Sequence, residues 1–257
     1  MGKLYEIYNY REMLKSLVRR DLRTRYKGSF FGFLWTFINP LMQLIVYSII
    51  FPYLLKFSQE NYAMYLFVAL LPWNYFNSTI IGSCAQIINN GSLITKIYFP
   101  REVIPLAFSA GGLCNMFFAY IIVFPMLLIF NIPLTFNLLW LPVLFIIQFI
   151  MCTGFSLIIS AVNVYFRDVE HILTILMMAL YFFTPIMYEI DVLPRSLQSL
   201  VYLNPMTLFT LLYRDAVFYG APMNFEMLGS VVIISVITFI GGMIIFNRMQ
   251  KGFAEVL

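Results

Sequence analysis

Five stretches of this chain carry no Asp, Glu, Lys, Arg or His: residues 28–55, 61–95, 103–166, 172–188 and 227–247. Runs of that length limit the possible folds more than any other feature of the sequence. A bilayer core is crossed by about 20 apolar residues in a helix rising about 1.5 Å per residue. The run 103–166 is long enough to cross twice, and the polar "NIPLTFN" at 131–137 is where it would fold back. The pattern predicts six spans, near 30–55, 62–88, 105–130, 138–164, 171–188 and 226–247. Lipid offers no hydrogen-bond partners, so each span must satisfy its own backbone as a helix. The expected fold class is all-α: a polytopic membrane protein with six transmembrane helices, an N-terminal amphipathic interface helix and short re-entrant outer gate helices. Composition agrees, because only 11% of residues are charged, against about a quarter in a soluble domain.

The basic residues give an orientation. Of the 16 Lys and Arg, eight precede the first span, and Lys96, Arg101, Arg167, Arg248 and Lys251 fall on the same side. Only Lys56, Arg195 and Arg214 fall opposite. The positive-inside rule then places both termini in the cytoplasm. The net charge of +4 reports topology and membrane-surface contact rather than nucleic-acid binding. No cleavable signal peptide is expected, because the first apolar run starts near Phe30 and is long enough to span.

Residues 1–28 are a separate kind of segment from the body, 29–257. Tyr10, Met13, Leu14, Leu17, Val18 and Leu22 recur at steps of three and four, while Arg11, Lys15, Arg19, Arg23 and Lys27 step by four along another face, with Arg25 between. This predicts a basic amphipathic helix in the membrane interface, where each cation near an anionic leaflet contributes about 1 kcal/mol. It serves as an anchor or as a docking surface. Between the fifth and sixth spans, residues 189–224 contain apolar clusters split by Asn204-Pro205. They predict two short, partly re-entrant helices on the outer face, with Pro194 ahead of them and Arg214 and Asp215 as a solvated pair.

Chemistry is conspicuous by what is lacking. No G-x-x-x-x-G-K-[ST] occurs, so any ATP must be held by another subunit. The single histidine, His171, adjoins Arg167, Asp168 and Glu170, which fits a helix-end charge cluster better than a metal site or a hydrolase base. Cys84, Cys114 and Cys152 are widely separated within the spans and are expected to be free thiols. The predicted spans have no central ionisable group of the kind that carries a coupling ion. Their polar groups, Asn39, Gln43, Asn74, Asn77, Asn115 and Gln148, are uncharged and suit bridges between helices. Pro40, Pro72, Pro125 and Pro185 are candidate kinks. Phe, Trp and Tyr make up 18% of the chain, many of them deep in the spans. Aromatic faces stack on sugars without demanding one sequence of groups, which suits a sliding polymer.

Four stretches taken together resemble a known family: "RRDLRTRYKGSFFGFLWTFINPLMQLIVYSIIF" (19–51), "KIYFPREVIPL" (96–106), "YFRDVEHIL" (165–173) and "NRMQKGFAEVL" (247–257). In order and spacing they are similar to the type-2 ABC-transporter permeases that export polysaccharides such as O-antigen, capsule and teichoic acid. One departure is Phe31 before Gly32, where the family commonly has Leu.

The resemblance implies that the segment 94–105, "ITKIYFPREVIP", is a cytoplasmic coupling helix and loop docking on a separate ATPase. Lys96, Arg101 and Glu102 would then offer polar contacts and Ile97, Tyr98 and Phe99 an apolar plug. The basic helix, through Arg11, Lys15, Arg19, Arg23, Arg25 and Lys27, would be a second docking element. It further implies channel candidates Phe31, Trp35, Tyr47, Tyr181, Phe182 and Tyr188, and outer-gate candidates Pro194, Asn204, Pro205, Arg214 and Asp215. The expected partners are a second copy of the chain, two ATPase subunits that hold ATP and Mg, membrane lipids and a lipid-linked polysaccharide. The expected location is a bacterial cytoplasmic membrane. Two other readings stay open: a permease of the same family for a drug or lipid, and a membrane-embedded glycan-processing enzyme.

Overall fold

The computed structural model describes residues 3–25, 28–54 and 61–256. Lys27, the last of the basic row, and Lys56 lie outside them. Among the described residues all regular structure is helical. Two N-terminal helices, α1 (Lys3–Asn9) and α2 (Arg11–Arg25), precede α3 (Trp35–Leu54) and α4 (Tyr62–Ser83). Short helices α5 (Gln86–Asn89) and α6 (Gly91–Lys96) lead to α7 (Val103–Ile129) and α8 (Leu141–Tyr165). After α9 (Val169–Phe183) come α10 (Arg195–Leu203), α11 (Pro205–Arg214), α12 (Phe225–Met249) and α13 (Phe253–Val256).

The long helices run between two ends that their polar contacts identify. At the terminal end, Arg20 Nη2 donates to Asn90 Oδ1 at 2.5 Å, and Tyr165 Oη donates to the Met249 carbonyl at 2.7 Å. At the far end, Asn61 Nδ2 donates to the Phe130 carbonyl at 3.1 Å, and Asn137 Nδ2 to the Gly220 carbonyl at 2.8 Å. Three stretches, Val103–Ile129, Phe136–Tyr165 and Phe225–Gly252, are long and apolar enough to cross a membrane, and α3 and α9 add shorter apolar lengths.

Burial separates the helices by role. In α4 nearly every position from Ala63 to Phe76 is buried, although it carries Asn74, Asn77 and Thr79. It forms the centre of the bundle. In α12 only Val231, Ser235, Gly242 and Phe246 are buried, and steps of four and seven put them on one stripe. The rest of that helix, including exposed Ile233, Ile237, Ile240 and Ile244, presents the apolar surface expected to meet lipid.

The buried stripe of α12 lies against α8 at very short range. A Cβ added to Gly154 would stand 2.5 Å from the Thr238 carbonyl carbon, and one added to Gly242 would meet the Gly154 carbonyl oxygen. Small residues that let backbones touch are a usual basis of helix association where no hydrophobic force drives it.

Uncharged polar groups tie the remaining helices, as expected of Gln148 in particular. Its Nε2 donates to the Pro72 carbonyl of α4 at 2.8 Å, and its Oε1 accepts from Tyr213 Oη of α11 at 2.9 Å. Ser83 Oγ donates to Ser156 Oγ at 2.7 Å, between α4 and α8.

Two helices are shorter than the apolar pattern predicts. The second ends at Ser83 instead of residue 88, where Asn163 Nδ2 takes the Cys84 carbonyl at 2.9 Å and the chain turns into α5 and α6. The fifth ends at Phe183 instead of 188. Thr184 precedes Pro185, which disfavours helix, and it is extended at φ −97, ψ 131. At 15 residues, α9 is about 22 Å long.

The N-terminal segment also differs in detail, because Tyr10 breaks it into α1 and α2. The apolar face of α2 lies on the protein: Leu17 is buried in a second core with Ile87, Ile94, Phe99, Val103 and Phe253. The three cysteines are free.

The α8–α12 contact gives a direct test. Gly154→Leu is expected to cost about 1–3 kcal/mol by overpacking, read as a lower thermal midpoint of the chain in detergent micelles. An unchanged midpoint would mean the two backbones do not meet there.

Candidate functional site

The structure gathers the candidate residues into three places. The first is the terminal end. Helix α6 ends at Lys96, and Ile97 turns extended at φ −129, ψ 135. Lys96, Ile97 and Tyr98 are exposed, Tyr98 at 88%. Phe99 and Glu102, expected from sequence to face a partner, are buried instead. Phe99 belongs to the second core. Glu102 Oε1 accepts from Gln250 Nε2 at 3.0 Å. Arg101, half-buried, donates to the Gln250 carbonyl and sits 6.0 Å from the Phe253 ring centroid. Gln250 also donates to Asn247 Oδ1 at 2.7 Å.

The end of α12 therefore fastens the loop before α7. Between this loop, α1 and the chain's C-terminal part lies a cleft of about 670 Å³ that includes Glu6, Tyr98, Arg101, Arg248 and Lys251. Beside it, α2 displays its cations. Arg11, Lys15, Arg19 and Arg23 are exposed, Arg25 closes the helix, and the Lys15 ammonium hydrogen-bonds Glu12 at 2.8 Å, which lowers the Glu12 carboxyl below its usual range.

The second place is the flank formed by α3, α4 and α9. Phe31 packs edge-on to Trp35 at 5.6 Å, and the Trp35 indole donates to Ser29 Oγ at 2.8 Å. Tyr47 is twelve residues further along, about 18 Å away, so the structure does not bring it to Phe31 and Trp35. It accepts from Gln43 Nε2 at 2.9 Å and is an electrostatic neighbour of Tyr181. Tyr181 meets Trp73 at 5.6 Å and Phe182 at 5.5 Å, and Tyr188 Oη donates to the Phe182 carbonyl at 3.0 Å. Asn39, Gln43, Asn74 and Asn115 line a cavity of about 210 Å³ between α3, α4 and α7. This flank combines stacking rings with neutral hydrogen-bonding groups.

The third place is the far end. Pro194 is exposed and caps α10. Asn204 caps α11 by accepting from Met206 N at 3.0 Å and donates to Thr184 Oγ1 at 2.8 Å, with Pro205 in the first turn. Asn204 shares a cavity with Phe76 and Ile80 of α4. That places the turn about 20 Å of helix rise from the start of α4, so α10 and α11 reach back into the helical bundle.

Arg214 differs from the solvated pair expected with Asp215. It is 1% exposed, and its guanidinium donates to three carbonyls: Nε to Tyr65 at 3.3 Å, Nη1 to Pro185 at 2.6 Å and Nη2 to Ile186 at 2.6 Å. It also lies 3.4 Å from the Tyr65 ring centroid. Tyr62 Oη and Tyr65 Oη donate to the Met187 and Tyr188 carbonyls, at 2.5 and 3.1 Å. Asp215 begins a π-helical turn, Asp215–Tyr219, and its backbone carbonyl accepts from Ala221 N.

With this geometry in place, the comparison with known families is decisive. The model of the family described as ABC-2 type transporter matches residues 12–218. The chain belongs to that family. It is 34% identical over 257 residues to the O-antigen export system permease protein RfbA of Myxococcus xanthus, with 97% of each chain covered. A protein of the same name from Klebsiella pneumoniae is 32% identical over 247 residues, 96% of this chain and 95% of the relative. The polysialic acid transport protein KpsM of Escherichia coli is 24% identical over 93% of each. These ABC-2 type relatives are transport proteins and permeases by name, and this chain carries no P-loop of its own.

Sequence reasoning missed two features of this ABC-2 type chain. The tie of Gln250 and Phe253 to Arg101 and Glu102 left no local signal beyond the quoted C-terminal motif, because the partners are 148 residues or more apart. The burial of Arg214 had one available signal, its setting in the apolar "LFTLLYRDAVF".

Two outcomes follow from these contacts. Arg214→Met leaves three buried carbonyls short of a donor, each worth about 1–3 kcal/mol, so amide exchange over 184–224 should accelerate sharply. Arg214→Lys should recover only part, because an ammonium lacks the planar fork. Gln250→Ala removes a hydrogen bond to a charged group, about 1.5–3 kcal/mol. Exchange at the backbone of 97–104 should rise about tenfold or more, and unchanged exchange would mean the tie does not hold the loop.

Proposed function

We propose that this chain is the membrane subunit of an ATP-driven exporter that carries a lipid-linked polysaccharide across a bacterial cytoplasmic membrane. The observation that carries the reading is likeness along nearly the whole chain to O-antigen export permeases, 34% over 97% of both proteins. The substrate in that reading is a polymer bearing a lipid anchor. The stacked rings and neutral amides of the α3, α4 and α9 flank offer faces and donors that a repeating glycan can slide along.

In this reading α3, α4, α7, α8, α9 and α12 all cross the bilayer, with both termini and the coupling loop in the cytoplasm. One bundle is small for a polymer conduit, so two copies face each other and two ATPase subunits dock below. ATP and Mg are held by those subunits, and this chain supplies the contact: Lys96, Ile97 and Tyr98 as the protruding part of the coupling loop, with the cationic face of α2 beside it. Closure of the ATPase pair pushes on this layer and shifts the bundle between two states. The re-entrant α10 and α11 form the outer gate.

The experiment is deletion of the chain in its own cell, followed by measurement of surface polysaccharide and of lipid-linked polymer inside. Loss of surface polymer with internal accumulation is the expected result, restored by the intact chain and not by Tyr98→Asp. Normal surface polymer with heightened drug sensitivity would replace the polysaccharide by a small-molecule cargo.

A further inference from the structure

A groove lies between α2 and the first half of α7, enclosing about 670 Å³. Its walls are apolar: Leu14, Val18 and Leu22 from α2, and Ala110 and Cys114 from α7. Its rim is cationic, with Lys15, Arg19 and Arg23 one turn apart along α2. Among the described residues no carboxylate lines it, and neither does any Asn, Gln, Ser, Thr or Tyr. Of the acids on α2, Glu12 is engaged by Lys15, and Asp21 lines a separate cleft with Arg20 and Asn90 and meets α7 at Gly111.

The three cations are not equivalent. Lys15 is engaged by Glu12 at 2.8 Å. Arg19 and Arg23 are exposed, and among the described residues neither has an ion-pair partner. Two unpaired guanidiniums above an apolar slot present complementary chemistry to a single kind of molecule, an anion with a hydrocarbon tail.

We propose that this groove binds an anionic bilayer phospholipid, its acyl chain along α7 and its phosphate on Arg19 and Arg23. The inference rests on the reading of α7 as a membrane span. Ala110 and Cys114 lie about 10 and 16 Å of helix rise beyond Val103, at the depth of hydrocarbon, where an acyl chain reaches and a cytoplasmic protein does not. Their short side chains leave the slot open. A guanidinium donates two N–H groups to phosphate oxygens in a planar fork, which suits Arg at the headgroup level. Lipid held here would fix α2 against α7, beside the coupling loop.

The test uses the full chain purified with its ATPase partner, stripped of lipid, then given phosphatidylglycerol or phosphatidylcholine of matched chains and examined by native mass spectrometry. Phosphatidylglycerol should be retained at least tenfold better. The double change Arg19→Gln, Arg23→Gln should abolish that preference, and Cys114→Phe should reduce retention of either lipid by filling the slot. Cys84 and Cys152 are buried and Cys114 is partly exposed, so the unaltered chain allows a second measurement. Phosphatidylglycerol should shield Cys114 from an apolar maleimide more than phosphatidylcholine does. Equal retention of the two lipids by the unaltered complex, or a preference that survives the double change, overturns the proposal. If the double variant keeps its lipid preference and loses only the ATPase, Arg19 and Arg23 serve the ATPase contact alone and the lipid proposal fails. Release of the chain from membranes by alkaline carbonate would instead sink the span reading.

Discussion

A buried guanidinium holds the far end of this protein together, and the re-entrant hairpin depends on it. Removing a charge from water costs several kcal/mol even after relaxation. At Arg214 that cost is offset by three carbonyl acceptors and the face of Tyr65. Two of those carbonyls belong to Pro185 and Ile186, in the non-helical stretch after α9, where the backbone cannot satisfy itself. Such backbone is tolerated near membrane depth only where the protein supplies the missing partners. The arginine therefore permits α9 to end early, and the early end makes room for α10 and α11 to enter the bundle. Tyr62 and Tyr65 serve the next two carbonyls, so the first turn of α4 acts as the anchor for the whole segment.

The terminal end is fastened by different means. Its layer is a small apolar core, closed by the ties of Arg101 and Glu102 to Gln250. Displacing the exposed Ile97 and Tyr98 must therefore load the end of α12 as well as the start of α7. From α12 the contact continues to α8, because the Gly154 and Gly242 backbones touch and leave no slack. A push at this loop is resisted by rigid elements instead of being absorbed by a flexible turn. That is the mechanical property a contact point for an external motor needs.

How much of this was readable in advance depended on whether the cause was local. The long apolar helices, the turn after Phe130 and the amphipathic face of α2 follow from runs and periods within 30 residues, and they were legible. So was the Asn204-Pro205 break, since a capping Asn followed by Pro states its own geometry. The fates of Phe99, Glu102 and Arg214 were not legible, because each is decided by residues more than 20 positions away. The resemblance suggested a partner contact for Glu102 and charge suggested solvent for Arg214, and neither pointed to burial because the residues they meet were invisible in the local sequence. The early ends of α4 and α9 had mixed causes: Pro185 was in view, whereas the Asn163 side chain that claims the Cys84 carbonyl was not. The channel candidates implied by the resemblance were named without their arrangement: Tyr181 meets Phe182, whereas Phe31 and Trp35 sit at the other end of α3 from Tyr47.

What remains is why most polar groups of the interior are uncharged. Gln148, Tyr213, Ser83, Ser156 and Asn163 make hydrogen bonds between elements, so these polar groups find partners while joining helices. An ion-driven carrier needs a group there whose protonation or ligation changes during the cycle. The amides and aliphatic hydroxyls do not titrate, and Arg214 spends its charge on three carbonyls. These groups join helices, which fits a permease of a family whose ATPase is a separate subunit.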